Sequence, residues 1–142
     1  MKFNKLIILL LAIILIAGLS ACAGQAEAAT KISADTLDKM PYEMSPQEVY
    51  DAIQTGQVMV IDVREQWEYE EGHIPGAKLI PMMEVENRLV EIPKDEHVIV
   101  TCRSGNRSSQ IADFLSNKGY KLIHNMDGGF LSWKEAGLPV AE

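Results

Sequence analysis

Residues 97 to 108 read His97-Val98-Ile99-Val100-Thr101-Cys102-Arg103-Ser104-Gly105-Asn106-Arg107-Ser108, and this stretch decides the fold. Its first five residues are largely apolar and rich in β-branched side chains, the pattern of a strand covered on both faces in a parallel sheet. Cys102 stands at the carboxyl end of that strand. From Ser108 to Asn117, Ile111, Phe114 and Leu115 fall on one helical face, and Gly119 follows as a stop. Arg103 to Arg107 therefore form a loop that joins a buried strand to the N-terminus of a helix.

The same alternation extends in both directions. Upstream, Ser45-Pro46-Gln47-Glu48 has the form of a capping box with proline at the first helical position, and Met44 is placed to staple onto Val49. The spacing predicts a helix from Pro46 to about Thr55 that stops at Gly56. Val58 to Val63 is nearly continuous in apolar residues and reads as a central strand. A short acidic helix over Gln66 to Glu71, a turn at Gly72 to Gly76 and a brief strand at Ala77 to Ile80 follow. Val85, Leu89 and Ile92 recur at helical spacing before Pro93. Downstream, Lys121 to Asn125 reads as a last strand and Phe130 to Ala136 as a last helix bearing Trp133, most simply a core residue, as the few methionines such as Met82 and Met83 are no binding stripe. Strands alternating with helices imply an α/β domain whose sheet is largely parallel, with helices on both faces and the site beyond the carboxyl ends of the strands.

That placement gives Cys102 a chemical setting. Successive backbone N–H groups of a loop entering a helix can converge on one point and bind an anion there, and the helix dipole adds positive potential. Gly105 can adopt positive φ at no steric cost, so the loop can curl around its occupant. An ordinary thiol with a pKa near 8.5 is only about 3% ionised at pH 7, and a pKa of about 7 makes half of it thiolate, the nucleophilic form. Attack on the outer sulfur of a thiosulfate-like donor would leave a persulfide on Cys102, whose terminal sulfur is itself an anion, and a second nucleophile would then remove that sulfur.

The N-terminus is read separately from the fold. Lys2 and Lys5 precede an unbroken apolar run from Leu6 to Ala17, shorter than the roughly 20 residues a membrane-spanning helix needs. Residues 1–21 are expected to be a signal peptide; an uncleaved signal anchor is the alternative. Leu19-Ser20-Ala21-Cys22 resembles the bacterial lipoprotein processing box, which implies a diacylglyceryl group on Cys22 and an anchor outside the cytoplasmic membrane, in the cell envelope. Residues 22–42, rich in Ala, Gln, Glu, Thr and Ser, read as a tether to a domain at 43–142. Cys22 and Cys102 are the two cysteines, so a lipidated Cys22 leaves Cys102 a free thiol in an oxidising compartment. Losing Lys2 and Lys5 takes 13 basic residues to 11 against 20 acidic, a net charge of −9, and no basic run is present to engage nucleic acid.

Four segments, in this order, resemble the single-domain rhodaneses: Ile61-Asp62-Val63-Arg64-Glu65, Glu71-Gly72-His73-Ile74-Pro75-Gly76-Ala77, the Cys102 to Ser108 loop, and Asp127-Gly128-Gly129-Phe130 with Trp133. The likeness spans about Ser45 to Pro139. It implies a rhodanese-like α/β fold with a small, largely parallel five-stranded sheet. It also implies transfer of a sulfane sulfur through a Cys102 persulfide, a cradle formed by Arg103, Ser104, Gly105, Asn106, Arg107 and Ser108, and no cofactor. Arg103 and Arg107 match positions where the family places basic residues to attract anionic donors, with a solvated loop charge as the alternative. Asp62 and Arg64 match a buried ionic support for the neighbouring turn, and His73 matches a hydrogen-bonded turn residue. Acceptors of the implied chemistry include cyanide, sulfite, small thiols and a protein thiol.

Other chemistries fit less well. Cysteine phosphatases and arsenate reductases place an arginine six positions after the cysteine; here Ser108 holds that position and Arg107 comes one residue earlier, which makes a smaller cradle. A thiol-disulfide oxidoreductase needs a resolving cysteine, and the mature chain offers none. His73, His97 and His124 share no ligand-like spacing, so no metal is expected. A sulfur carrier or interaction module is the non-enzymatic alternative, and an intact Cys102 argues against an inert module.

Overall fold

The computed structural model describes Leu37 and residues 39–142. The expected signal peptide and Cys22 lie outside the described residues. No helix among the described residues is long and apolar enough to cross a membrane.

Five strands form one sheet: β1 (Glu43–Met44), β2 (Val58–Asp62), β3 (Lys78–Leu79), β4 (His97–Thr101) and β5 (Ile123–Met126). Their order is β1-β5-β4-β2-β3, and every pairing is parallel. The helices are α1 (Pro46–Gln54), α2 (Gln66–Glu70), α3 (Asn106–Asn117) and α4 (Gly129–Glu135), with a 3₁₀ segment at Met82–Glu91. The α/β fold expected from the alternation is therefore the one observed.

Side chains alternate across β4 as the two-residue strand period requires. Val98 and Val100 point into a core layer with Ile61, Val63, Ile111, Leu115 and Ile123, beneath α3 and the 3₁₀ segment. Ile99 points the other way, into a layer with Val60, Val49, Met126, Phe130 and Trp133, beneath α1 and α4. Burial on both faces is why the central strands read as apolar runs rather than as alternating patterns.

The capping box of α1 forms as read. The Ser45 hydroxyl accepts the Glu48 N–H, and a Glu48 carboxylate oxygen accepts the Ser45 N–H at 2.8 Å. Three expectations are corrected. The segment containing Val85 and Leu89 is 3₁₀ and breaks regular geometry at Arg88 (φ −118°), because two turns of apolar spacing do not separate a period of 3.0 from one of 3.6. Helix α3 starts at Asn106, two residues before the expected Ser108, so Asn106, Arg107 and Ser108 make up its first turn. The domain also reaches back into the segment read as tether: Leu37 is buried, Met40 packs against the core, and the Tyr42 hydroxyl donates to the Asp113 carboxylate at 2.6 Å. Tyr42 and Met44 hold the edge of the sheet, their carbonyls accepting N–H bonds from Asn125 and Asp127.

Candidate active site

Cys102 follows β4 directly and its side chain is buried at the end of the core layer under α3. Gly105, at φ +91°, turns the chain back so that its own N–H donates to Cys102 Sγ at 3.2 Å. The Ser108 hydroxyl lies 3.4 Å from Sγ and 3.0 Å from the Gly105 carbonyl oxygen. One hydroxyl proton serves one acceptor at a time, so an ionised Cys102 draws that proton away from the carbonyl. Burial pushes the Cys102 thiol up, but the Ser108 hydroxyl and the N–H groups of Ser108, Ser104 and Gly105 outweigh it and hold the pKa below the ordinary value.

The loop is held from behind by the start of α4. Phe130 N–H donates to the Cys102 carbonyl at 2.7 Å, and Leu131 N–H donates to the Arg103 carbonyl at 3.0 Å. This approach is close enough to require glycine at position 129. A Cβ there would lie 2.5 Å from the Cys102 carbonyl oxygen and 2.7 Å from backbone atoms of both Arg103 and Ser104, and the residue sits at φ +58°. The pattern Asp127-Gly128-Gly129-Phe130 is thus the sequence trace of a backbone-to-backbone contact with the loop.

Asp62 and Arg64 form a buried ion pair under the same assembly, with Arg64 Nη2 to Asp62 Oδ2 at 2.7 Å. Arg64 also donates to the carbonyls of Glu68 and Gly72, each at 2.9 Å, which pins both ends of the turn that follows α2. Its guanidinium lies 4.3 Å from the centre of the Phe130 ring, so the pair also braces the residue that holds Cys102. His73 sits in that turn, stacked on Tyr69, its Nδ1–H donating to the Tyr69 carbonyl at 3.1 Å.

The cradle residues separate into distinct groups. Gly105 and Ser108 are buried against Cys102, while Arg103, Ser104 and Asn106 have exposed side chains. Asn106 faces Gln110 along the helix rather than the sulfur. Arg107 has a partner that neither reading of it named. Its Nη1 and Nη2 each donate at 2.7 Å to the two carboxylate oxygens of Glu68 on α2, so the charge is paired rather than solvated alone. Glu68 also accepts the Glu65 N–H at 3.1 Å, and the Arg107 bonds hold its carboxyl below the usual carboxylate range. Sequence reasoning missed Glu68, which lay within an acidic helix with nothing to mark it; a buried acid facing a loop arginine is a tertiary signal.

It missed a second juxtaposition. His97 and His124, 27 positions apart, meet on neighbouring strands with His97 Nδ1 at 2.9 Å from His124 Nε2. His124 Nδ1–H donates to the Pro41 carbonyl at 2.7 Å, which leaves Nε2 to accept from His97. They lie away from the carboxyl end of the sheet, and among the described residues no group of three metal-ligating side chains occurs.

Comparison with known proteins agrees with this architecture. The Rhodanese-like domain family matches residues 45–136. The chain belongs to that family. It is 41% identical over 86 residues to a sulfurtransferase of Allochromatium vinosum, an alignment covering 61% of this chain and 80% of that one. It is 32% identical over 79 residues to the thiosulfate sulfurtransferase GlpE of Pseudoalteromonas translucida, covering 56% and 75% respectively. The crystal structure of a rhodanese-related protein from Thermoplasma volcanium superposes with a TM-score of 0.66 at 33% identity, over 71% of this chain and 98% of that one. The matched span includes both glycines of the turn behind the loop, the Asp62–Arg64 pair and the whole Cys102 cradle.

Proposed function

We propose that this rhodanese-family protein is a sulfurtransferase that carries sulfane sulfur on Cys102, taking it from thiosulfate or a similar anionic donor. The observation that carries the reading is the convergence of the Ser108 hydroxyl and the Gly105 N–H on Cys102 Sγ, with the Ser104 and Ser108 N–H groups also favouring the thiolate. These donors favour the thiolate that attacks and the persulfide anion that results. The thiolate attacks the outer sulfur of thiosulfate; the S–S bond of the donor breaks and sulfite leaves with the electron pair. An acceptor such as cyanide, sulfite or a thiolate then attacks the terminal sulfur, and the electron pair of the broken Cys–S–S bond returns to Cys102.

Intact mass spectrometry after incubation with thiosulfate tests this reading. One added sulfur, mapped to Cys102 and lost on addition of cyanide or a thiol, is the expected result. Absence of the adduct with thiosulfate and with an organic persulfide would overturn it. Replacing Cys102 with Ser is expected to abolish transfer while leaving the fold intact.

We further propose that the protein acts outside the cytoplasmic membrane, anchored through a lipid on Cys22. Leu19-Ser20-Ala21-Cys22 after an apolar run supports this reading. Partition of the full-length protein into the detergent phase, lost in Cys22→Ala, is the test.

A further inference from the structure

Glu68 stands out among the charged groups near the cradle. Its carboxylate is almost fully shielded, and it spends both oxygens on the guanidinium of a residue in the first turn of α3, the helix that begins at the cysteine loop. An isolated Arg107 would add a unit charge close to Cys102, and the paired one adds a nearly neutral dipole. Arg103, by contrast, is exposed and makes no ion pair among the described residues. Two cations flank the cradle in the sequence, and one of them is neutralised in the fold.

We infer that Glu68 is a specificity-determining positioning residue: by holding Arg107 in a bidentate ion pair it keeps one of the two loop charges from the donor, which disfavours dianionic donors relative to singly charged ones. This rests on Cys102 receiving sulfur from an anionic donor, but the charge argument applies to any anion that approaches Sγ. Arg107 directly precedes Ser108, whose hydroxyl lies 3.4 Å from Sγ, and an ionised Cys102 favours the charged form of Arg107, so the two are within electrostatic reach. Removing the Glu68 charge while keeping its hydrogen-bonding shape releases that potential toward the sulfur. A unit charge that is near but not in contact, in a partly solvated site, changes an anion's reactivity by about three- to tenfold.

The test uses the full-length protein and alkylation of Cys102 by two reagents of nearly equal shape, iodoacetate and iodoacetamide, with rates read at the Cys102 peptide. The ratio of the two rate constants reports the potential at Sγ and cancels changes in thiolate content. Glu68→Gln is expected to raise the iodoacetate to iodoacetamide ratio about three- to tenfold, Glu68→Asp to keep it near the wild-type value, and Glu68→Gln combined with Arg107→Gln to return it there. The KM for thiosulfate is expected to fall in Glu68→Gln by a similar factor, with kcat changing less. A residue with a purely structural role would slow both reagents equally and leave the ratio where it was, and that result, or a lowered ratio, would overturn the inference. Should Glu68→Gln fail to fold, Arg107→Gln, which leaves the Glu68 charge without its partner, must lower the ratio, and an unchanged or raised ratio would overturn the inference. A ratio that responds as expected while thiosulfate fails to load Cys102 would sustain the charge argument and reject thiosulfate as donor, so the two failures are distinct.

Discussion

Replacing Gly129 with alanine tests how the cysteine loop is held. The residue sits at φ +58°, and an added methyl meets the Cys102 carbonyl oxygen at 2.5 Å and backbone atoms of Arg103 and Ser104 at 2.7 Å. All three neighbours are backbone, so no side chain can swing away. Left-handed backbone costs a residue with a Cβ about 1–2 kcal/mol. Forcing two packed segments apart adds about 1–3 kcal/mol, and weakening the Phe130 N–H to Cys102 carbonyl bond adds about 1 kcal/mol. Gly119 is the reference, because it lies at φ +90° with nothing within 4 Å of an added Cβ, so Gly119→Ala isolates the conformational cost. Gly129→Ala should therefore lose about 2–4 kcal/mol more than Gly119→Ala in urea unfolding. Gly129→Ala should also slow sulfur loading of Cys102 more than it slows any property remote from the loop. Equal losses of stability in the two variants would refute the claim that backbone contact fixes Gly129.

The other predictions concern separate parts of the molecule. Ser108→Ala removes a hydroxyl donor to the thiolate, a bond to a charged group worth about 1.5–3 kcal/mol, and should move the pH midpoint of Cys102 alkylation upward by about one to two units. Asp62→Ala strands the buried Arg64 guanidinium and should cost about 3–5 kcal/mol in urea unfolding; a loss below about 1 kcal/mol would show that Arg64 finds another partner. Burial, and then the neighbouring His97, holds the pKa of His124 below its ordinary value, so the unfolded chain takes up this proton first as pH falls. The stability it contributes is present above the ordinary histidine pKa of about 6.5 and lost as pH drops through the folded value, and His124→Gln should flatten that loss below about pH 6.5. Carboxylates held below their usual range, such as Glu48 and Glu68, lose their contributions in more acidic solution, which separates the two effects.

The parts of this protein legible in its sequence are those fixed by local chemistry and short-range spacing. Val98, Ile99 and Val100 are apolar because both faces of β4 are covered, and Cys102 had to lie beyond the strand's end because the helical pattern resumes a few residues later. Ser45 and Glu48 announce a helix start because their side chains exchange hydrogen bonds three residues apart. β1 was not legible: Glu43–Met44 is two residues long and is a strand through its pairing with β5, some 80 positions away. The same reason hid the Glu68–Arg107 ion pair and the His97–His124 contact, where neither partner carries a mark of the other.

What joins the legible and illegible parts is a short series of contacts beneath the cysteine. Asp62 ends β2 and fixes Arg64; Arg64 lies across the Phe130 ring; Phe130 N–H holds the Cys102 carbonyl, and Gly129 lets the two backbones come that close. The resembling segments around Asp62, Gly72, Cys102 and Asp127 are far apart in the chain but adjoin here. From the Glu68 carbonyl, held by Arg64, the same network passes to the Glu68 carboxylate and Arg107, in the first turn of α3. The cradle is thus gripped from below through backbone and from the side through charge. N–H groups fixed by structure rather than by a ligand can stabilise an anion in the cradle without reorganising.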